Sequence, residues 1–156
     1  MQGSNQTGKI VGVSVAEKKG MKKTNVKEVQ LKEGFGIIGD AHAGSSRQVS
    51  LLAEESIEKM RAKGLKVRSG DFAENITTRG IDLLGLEMGN KLKVGQEALL
   101  EITQFGKECH TRCSIYYQAG DCVMPKEGVF ARVLKGGVIK SGDKINVQSS
   151  SVNGER

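Results

Sequence analysis

Short alternating segments separated by glycines constrain the fold of this chain more than any other feature. The segment Lys9–Ala16 (KIVGVSVA) alternates β-branched residues with small or polar ones, and Ala98–Phe105 (ALLEITQF) has a similar pattern. A period of two is typical of β-strands with one buried face. The chain also contains 21 glycines and one proline, a ratio that favours tight turns and short strands over long helices.

The remaining segments extend this β pattern and add one helix. We predict the helix at Ala53–Lys63 because its first half is acidic, its second half is basic, and Gly64 follows as a C-cap. A helical turn is expected at Ile81–Leu86. Further strands are expected at Val26–Leu31, Gln48–Leu52, Asn75–Thr77, Lys91–Val94, Val129–Leu134 and Lys144–Val147, with a Gly-Gly turn after the strand that ends at Leu134. The predicted fold class is therefore mainly β: a mostly antiparallel sheet closed into a barrel, with one main helix packed on it.

The length of 156 residues is enough for one domain with a substantial core. We assign this domain to residues 9–148 and expect polar, disordered tails at 1–8 and 149–156. No apolar run approaches the roughly 18 residues of a membrane span. The N-terminus lacks a cationic start followed by an apolar segment, so no signal peptide is predicted and a cytoplasmic location is expected.

The net charge of +6 favours an anionic partner. Lysines are interleaved with glutamates, as in VKEVQLKEG, which is typical of a solvated surface. No stretch alternates basic with aromatic residues in the manner that stacks nucleic-acid bases. A small anionic ligand is therefore expected in preference to a nucleic acid.

The stretch Lys107–Arg132 contains all three cysteines, Cys109, Cys113 and Cys122, together with His110. Thiolates are the reactive and metal-binding form of cysteine, and neighbouring cations favour them. The cysteine spacing matches neither a standard zinc knuckle nor the common iron–sulfur runs. The segment could therefore bind a soft metal or carry sulfur as a persulfide, and the alternative is a set of buried structural cysteines.

Two glycine-punctuated loops could bind a ligand. The first is Gly39–Gly44 (GDAHAG), in which Asp40 and His42 supply polar groups, with Arg47 shortly afterwards. Glycines there would let the backbone approach a ligand closely, although an ordinary glycine turn with an exposed histidine explains the same residues.

The second loop is Ser69–Arg79 (SGDFAENITTR). Its Asp71, Glu74 and Asn75 together offer hydrogen-bond donors and acceptors that suit the edge of a heterocycle. The alternative is that Asp71 and Asn75 cap turns, which these residue types commonly do.

In order, GIIGDAHAG, SGDFAENITTRGIDLLGLEMGNKLKVGQEALLEIT, the cysteine segment and GVFARVLKGGVIKSGDKINV resemble the MOSC domain. This family is named for the C-terminal domain of eukaryotic molybdenum cofactor sulfurases. The resemblance extends from about Gly8 to Val147 and is specific through the combination of its motifs. The chain looks like a stand-alone bacterial form without a fused aminotransferase-like domain.

The resemblance implies a closed β-barrel similar to the pyruvate kinase barrel domain, and an association with the molybdenum cofactor (molybdopterin). In related amidoxime-reducing proteins, a cysteine in an Arg-Cys segment ligates molybdenum, and Arg112-Cys113 is the closest match here. Cys113 is thus the first candidate as catalytic residue and metal ligand. Cys109 is the second, because this chain has one residue more between the two cysteines than the family pattern. Cys122 is assigned a structural role.

The resemblance also implies a set of cofactor-binding residues. Arginines would hold the phosphate and pterin through charge-assisted hydrogen bonds, and Asp71 and Asn75 would contact the pterin edge. The full candidate set is Asp40, His42, Arg47, Asp71, Asn75, Arg112 and Arg132.

Several functions are compatible with this resemblance. Cys113 would either ligate molybdenum or hold a persulfide for cofactor sulfuration or delivery, with a cysteine desulfurase as a possible sulfur donor. The expected partners are molybdenum cofactor biosynthesis proteins or molybdoenzymes. No membrane partner is expected, and no pyridoxal phosphate is expected in this domain alone. The alternatives are a molybdenum-dependent reductase of N-hydroxylated substrates with a separate electron donor, a non-catalytic cofactor-binding or chaperone module, and a zinc-binding structural module.

Overall fold

The computed structural model describes residues 6–18, 23–45, 47–72, 74–106 and 127–148. No helix within these ranges is long and apolar enough to cross a membrane. In chain order, the elements are β1 (Thr7–Val15), β2 (Thr24–Val26), β3 (Glu28–Lys32), β4 (Gly36–Ile37), β5 (Val49–Ala53), α1 (Glu54–Arg61), β6 (Ile76–Arg79), a 3₁₀ helix (Leu83–Gly85), β7 (Lys91–Val94), β8 (Ala98–Phe105), β9 (Val129–Lys135), β10 (Gly137–Lys140) and β11 (Lys144–Gln148).

Seven of these strands close into a barrel. Their order around the ring is β11, β7, β8, β9, β5, β6 and β1, and β1 pairs back with β11. β5 and β6 run parallel, whereas the other neighbours in the ring are antiparallel. β2 pairs antiparallel with Val13–Val15 at the C-terminal end of β1, and β10, β3 and β4 form a second, three-stranded sheet. The prediction of a mainly β, closed barrel with one main helix is confirmed.

Aliphatic side chains fill the barrel, as the scarcity of aromatic residues requires. Ile10, Leu51, Ile76 and Leu100 have no exposed surface. A smaller apolar cluster lies between the barrel wall and α1, and it consists of Leu52, Ile57, Met60, Val67, Phe72 and Phe130. Successive residues of β5 serve the two clusters, so this strand is buried on both faces and α1 is held against the barrel.

The helix is shorter than predicted. Ala53 remains in β5, where it pairs with Thr78 of β6, so α1 begins at Glu54. At the other end, the N–H groups of Lys63 and Gly64 each donate to the carbonyl three residues back, at 3.1 and 2.9 Å. This tighter turn ends α1 at Arg61.

Three strand predictions also need correction. The single strand expected at Val26–Leu31 is divided into β2 and β3, which belong to different sheets. The segment after Leu134 was predicted as a Gly-Gly turn, which is wrong, because Gly137–Lys140 forms β10 against β3. β1 begins at Thr7, two residues before the predicted start, since Thr7 already pairs with Asn146 of β11.

Candidate functional site

The cysteine segment joins two neighbouring strands of the barrel. The N–H of Gly106, after β8, donates to the carbonyl of Gly128, before β9, at 2.7 Å. The described residues on the two sides of 107–126 are therefore adjacent in the barrel wall. Cys109, Cys113 and Arg112 fall in this segment and lie outside the described residues.

Glu127 ties the end of this connection to α1. Its Oε1 accepts hydrogen bonds from Ser56 Oγ at 2.6 Å and from Lys59 Nζ at 3.0 Å. Both donors belong to α1. The base of the cysteine segment is thus attached to the helix as well as to the β8–β9 pair.

A buried ion pair anchors the glycine loop that follows β4. Lys23 Nζ lies 2.7 Å from Asp40 Oδ1 and 2.9 Å from Oδ2, and the two side chains are 1% and 0% exposed. The backbone N–H groups of Ala16 and His42 also donate to this carboxylate, each at 3.1 Å. Burial alone would raise the pKa of Asp40, but the hydrogen bonds from Lys23, Ala16 and His42 outweigh it and lower the pKa. Asp40 is therefore held as a carboxylate.

The loop turns at Asp40 because local bonds close it. Gly39 has a φ of +91°, a conformation that favours glycine, and the N–H of Asp40 donates back to the carbonyl of Ile37 at 3.1 Å. The N–H of Ala41 donates to the carbonyl of Ala16, at the end of β1, at 2.8 Å. These contacts dock the loop on one end of the barrel.

His42 lies at the partly exposed edge of this cluster. Its Nδ1 is 3.2 Å from Lys23 Nζ, and its side chain is 18% exposed. Ser45 Oγ donates to the His42 carbonyl at 2.6 Å and accepts from the N–H of Arg47 at 3.1 Å. The turn therefore links the positions of His42 and Arg47.

Arg47 presents a buried hydrogen-bond donor. Its guanidinium carbon lies 5.7 Å from the centroid of the Phe130 ring, in cation–π range. Its Nε is buried and has no hydrogen-bond partner among the described residues. Phe130 is two residues beyond Gly128, so Arg47 lies close to the base of the cysteine segment. A buried unpaired donor is costly, and the oxygen of an anionic ligand would satisfy it.

Asn75 serves the framework of the barrel. It is fully buried, and its Oδ1 accepts from the N–H and Oγ of Ser50 in β5, at 3.0 and 3.1 Å. Its Nδ2 donates to the carbonyl of Ser14 in β1 at 3.1 Å. The side chain thus connects two strands that do not pair with each other, and its contact with a pterin edge stays a prediction.

The other residues of this loop also bond locally. Asp71 Oδ2 accepts from the N–H of Arg68 at 3.1 Å, which closes a turn. Glu74 is fully buried, and its Oε2 accepts from the N–H of Gly70 at 2.9 Å and from Thr77 Oγ1 at 2.7 Å. Burial raises the pKa of Glu74 above its ordinary value despite these bonds.

Arg132 lies on the exposed surface of β9. It faces Glu101 of β8 across the strand pair, and its Nε donates to Glu101 Oε1 at 2.6 Å. Within the described part of the chain, no hydrogen bond or ion pair links it to Asp40, His42 or Arg47. The structure therefore groups those three residues around one loop and places Arg132 in a separate ion pair.

Lys23 is the site residue that sequence reasoning missed. It lies at the end of the charged run EKKGMKK, yet its side chain is buried. In the sequence, only Asp40 indicated that a cationic partner was needed, because a carboxylate in a glycine loop that docks on a barrel needs a cation. The sequence did not indicate which of several nearby lysines would supply it.

The fold and the buried polar loop define a small barrel protein with an anion-compatible site. Residues 39–146 match the MOSC domain, so the chain belongs to the MOSC domain family. The match includes both the Asp40–Arg47 loop and the cysteine segment. The family is linked to molybdenum cofactor binding and to sulfur-related functions.

Solved structures share this fold. The YuaD protein from Bacillus subtilis is 20% identical, with a TM-score of 0.77 over 93% of this chain and 97% of its own. YiiM from Geobacillus stearothermophilus is 21% identical, with a TM-score of 0.69 over 94% and 77%. YiiM from Escherichia coli is 18% identical, with a TM-score of 0.64 over 93% and 72%. No curated protein sequence matches the chain significantly.

Proposed function

We propose that this protein binds the molybdenum cofactor and that Cys113 is the cysteine that holds its metal. The observation that carries the proposal is the family match over residues 39–146, which includes the polar loop and the cysteine segment in one domain. The bound cofactor would supply a redox-active metal with sulfur ligands. The chain would supply an anion site, a thiolate and a rigid barrel that holds both.

The described residues fit an anionic group. Arg47 offers a buried N–H donor that no described residue occupies, and a guanidinium is well suited to phosphate oxygens. His42 lies at the exposed edge of the same turn. The inner carboxylate, Asp40, is already neutralised by Lys23, so it adds little repulsion toward an anion.

Cys113 is proposed on chemical grounds and by resemblance. A thiolate is a soft ligand that suits a soft metal, and the adjacent Arg112 favours the thiolate form. The ends of its segment are held by the Gly106–Gly128 hydrogen bond and by Glu127, close to Phe130 and Arg47. The described residues that flank the segment thus lie near Phe130 and the unpaired donor of Arg47.

Metal and pterin content after expression in a cofactor-producing host tests this proposal. We expect stoichiometric molybdenum and pterin in the wild type, and loss of molybdenum in Cys113→Ser. Cys122→Ser is the matched control and should keep both. Arg47→Met should lower the pterin content, whereas Arg132→Met should not, because Arg132 is already paired with Glu101.

Two results would contradict the ligand role. Loss of molybdenum in Cys109→Ser but not in Cys113→Ser would move the ligand to Cys109. Cyanide-releasable sulfur on Cys113 without bound molybdenum would instead identify a sulfur carrier. In that case a donor persulfide would pass its outer sulfur to the Cys113 thiolate: one S–S bond breaks, another forms, and the donor leaves as a thiolate.

A further inference from the structure

A cavity of about 730 Å³ opens at the C-terminal end of α1. Three of the six described residues that line it are cations and only one is an acid; the six are Arg61, Leu65, Lys66, Val67, Arg68 and Asp71. The lining is therefore positive, and it shares no residue with the Asp40–Arg47 loop.

The apolar residues of the loop after α1 hold this cavity in place. Val67 is buried in the cluster between α1 and the barrel wall, and Leu65 packs against the same cluster. Lys66 and Arg68 alternate with these two residues and are exposed. The two cations therefore stand on the solvent side of a loop that is anchored from below.

Arg61 is oriented from the helix side of the cavity. It is the last residue of α1, and its Nε donates to the carbonyl of Val67 at 2.8 Å. This bond fixes the guanidinium while leaving its terminal amino groups for other acceptors. Less conformational freedom is then lost when an anion binds, because the side chain is already held.

The arginines of this cavity differ from others that the structure describes. Arg79 and Arg132 each form an ion pair with a glutamate. Arg61 and Arg68 form no ion pair with any residue of the described ranges, and both line the cavity. The acid of the lining, Asp71, uses its Oδ2 to accept from the backbone N–H of Arg68 at 3.1 Å, so it closes a turn. The two guanidinium charges are thus available to a ligand.

We propose that this cavity binds a phosphate group of a small molecule, with Arg61 and Arg68 as binding residues and Lys66 as a further cation. Guanidinium groups bind phosphate oxygens through paired N–H donors, and an ammonium adds a point charge. Leu65 and Val67 supply an apolar wall that suits the organic part of such a ligand.

Nuclear magnetic resonance titration of the ¹⁵N-labelled protein with sodium pyrophosphate, at constant ionic strength, tests this site. The backbone amide signals of residues 61–71 should shift and saturate. Arg61→Gln with Arg68→Gln should raise the dissociation constant at least about tenfold, because charge-assisted hydrogen bonds are the strong ones. Arg68→Gln alone should also weaken binding, and it leaves the bond between Arg61 and Val67 intact.

The matched control is Lys93→Gln with Lys140→Gln, which removes the same charge from two exposed lysines elsewhere. Its dissociation constant should equal that of the wild type. Absence of saturable shifts at residues 61–71 in the wild type would overturn the proposal. Equal weakening by the control pair would overturn it as well, because binding would then follow net charge alone.

Two further measurements define the ligand class and the limits of the site. Citrate carries a similar charge on separate carboxylates and should bind more weakly; equal binding of citrate would overturn the assignment to phosphate. Asp71 is also a candidate contact of the pterin edge, so cofactor content decides whether the two sites overlap. Arg68→Gln should keep the molybdenum and pterin content of the wild type, and loss of pterin would make the cavity part of the cofactor site instead. Absence of cofactor from the wild type would contradict only the function proposed above.

Discussion

The carboxylate of Asp40 is stable inside the protein because four hydrogen bonds surround it. Replacing it by Asn leaves Lys23 buried without a carboxylate, and removing one partner of a buried ion pair costs about 3–5 kcal/mol. We expect Asp40→Asn to lower the free energy of unfolding by that amount in urea titrations. Asp82→Asn is the control, because Asp82 is exposed, makes no cap hydrogen bond, and should change stability by less than about 0.5 kcal/mol.

The Lys23–Asp40 ion pair also predicts how the difference in unfolding free energy between the wild type and Asp40→Asn depends on pH. The pKa of Asp40 is lowered from its ordinary value of 3.8, so its contribution to stability is present above 3.8 and is lost as the pH falls through the folded value. The difference in unfolding free energy between the wild type and Asp40→Asn should therefore become smaller in acid. Glu74 acts in the opposite direction: its pKa is raised, so its contribution is complete below 4.5 and is lost as the pH rises through the folded value. Both proteins retain Glu74, so its effect cancels in the difference between them. A difference in unfolding free energy that is constant with pH would contradict the lowered pKa of Asp40.

Among individual residues, part of the candidate site could be predicted from the sequence. His42 and Arg47 stand in a short glycine-rich motif, where residue type and spacing are local information. Lys23 is joined to Asp40 across 17 positions, and only the docking of the glycine loop on β1 brings the two together. Residue type also left Asn75 open to either role, and its bonds to β1 and β5 depend on how these strands are arranged.

Among the elements, the loop between α1 and β6 requires a glycine at position 70. Gly70 has a φ of +90°, and a Cβ there would overlap the carbonyl oxygen of Lys23 and lie 2.8 Å from Ser14 Oγ. Gly64 has a similar φ of +94°, but a Cβ there would meet nothing within 4 Å. The left-handed conformation costs an alanine about 1–2 kcal/mol at either position. Gly70→Ala should therefore destabilise the protein clearly more than Gly64→Ala, because it adds a clash with the backbone of Lys23.

Urea unfolding of the two variants measures this difference. Equal losses of stability in the two variants would mean that the loop adjusts without moving Lys23, which would contradict the close packing at Gly70.

Local sequence patterns predicted the strands correctly where the alternation of apolar and polar residues is enough to determine them. β7 and β8 were predicted with the observed bounds, since each strand alternates and ends at a turn. β10 was missed because Gly136 and Gly137 resemble a turn. In the structure they allow close approach, since a Cβ on Gly136 would overlap the carbonyl oxygen of Leu31 in β3. These glycines thus allow two segments that are distant in the sequence, β10 and β3, to pair. No local sequence pattern predicts such a pairing.

Across the whole molecule, the barrel exists only if its first and last strands meet. β11 lies between β7 and β1, and it pairs with both. Its Ile145 and Val147 are 0% and 3% exposed and belong to the main core. The predicted domain of residues 9–148 thus depends on its last few positions as much as on its first.

Truncation after Asp143 should therefore unfold the protein. The loss of two buried aliphatic side chains removes about 1.5–3 kcal/mol each, and two strand edges become unpaired as well. A domain of this kind has about 5–15 kcal/mol of stability in total, so little would remain. Truncation after Gln148 is the matched control, since it keeps every described strand and should leave the urea midpoint unchanged. A cooperative transition near the wild-type midpoint for the shorter chain would show that closure by β11 does not hold the barrel together.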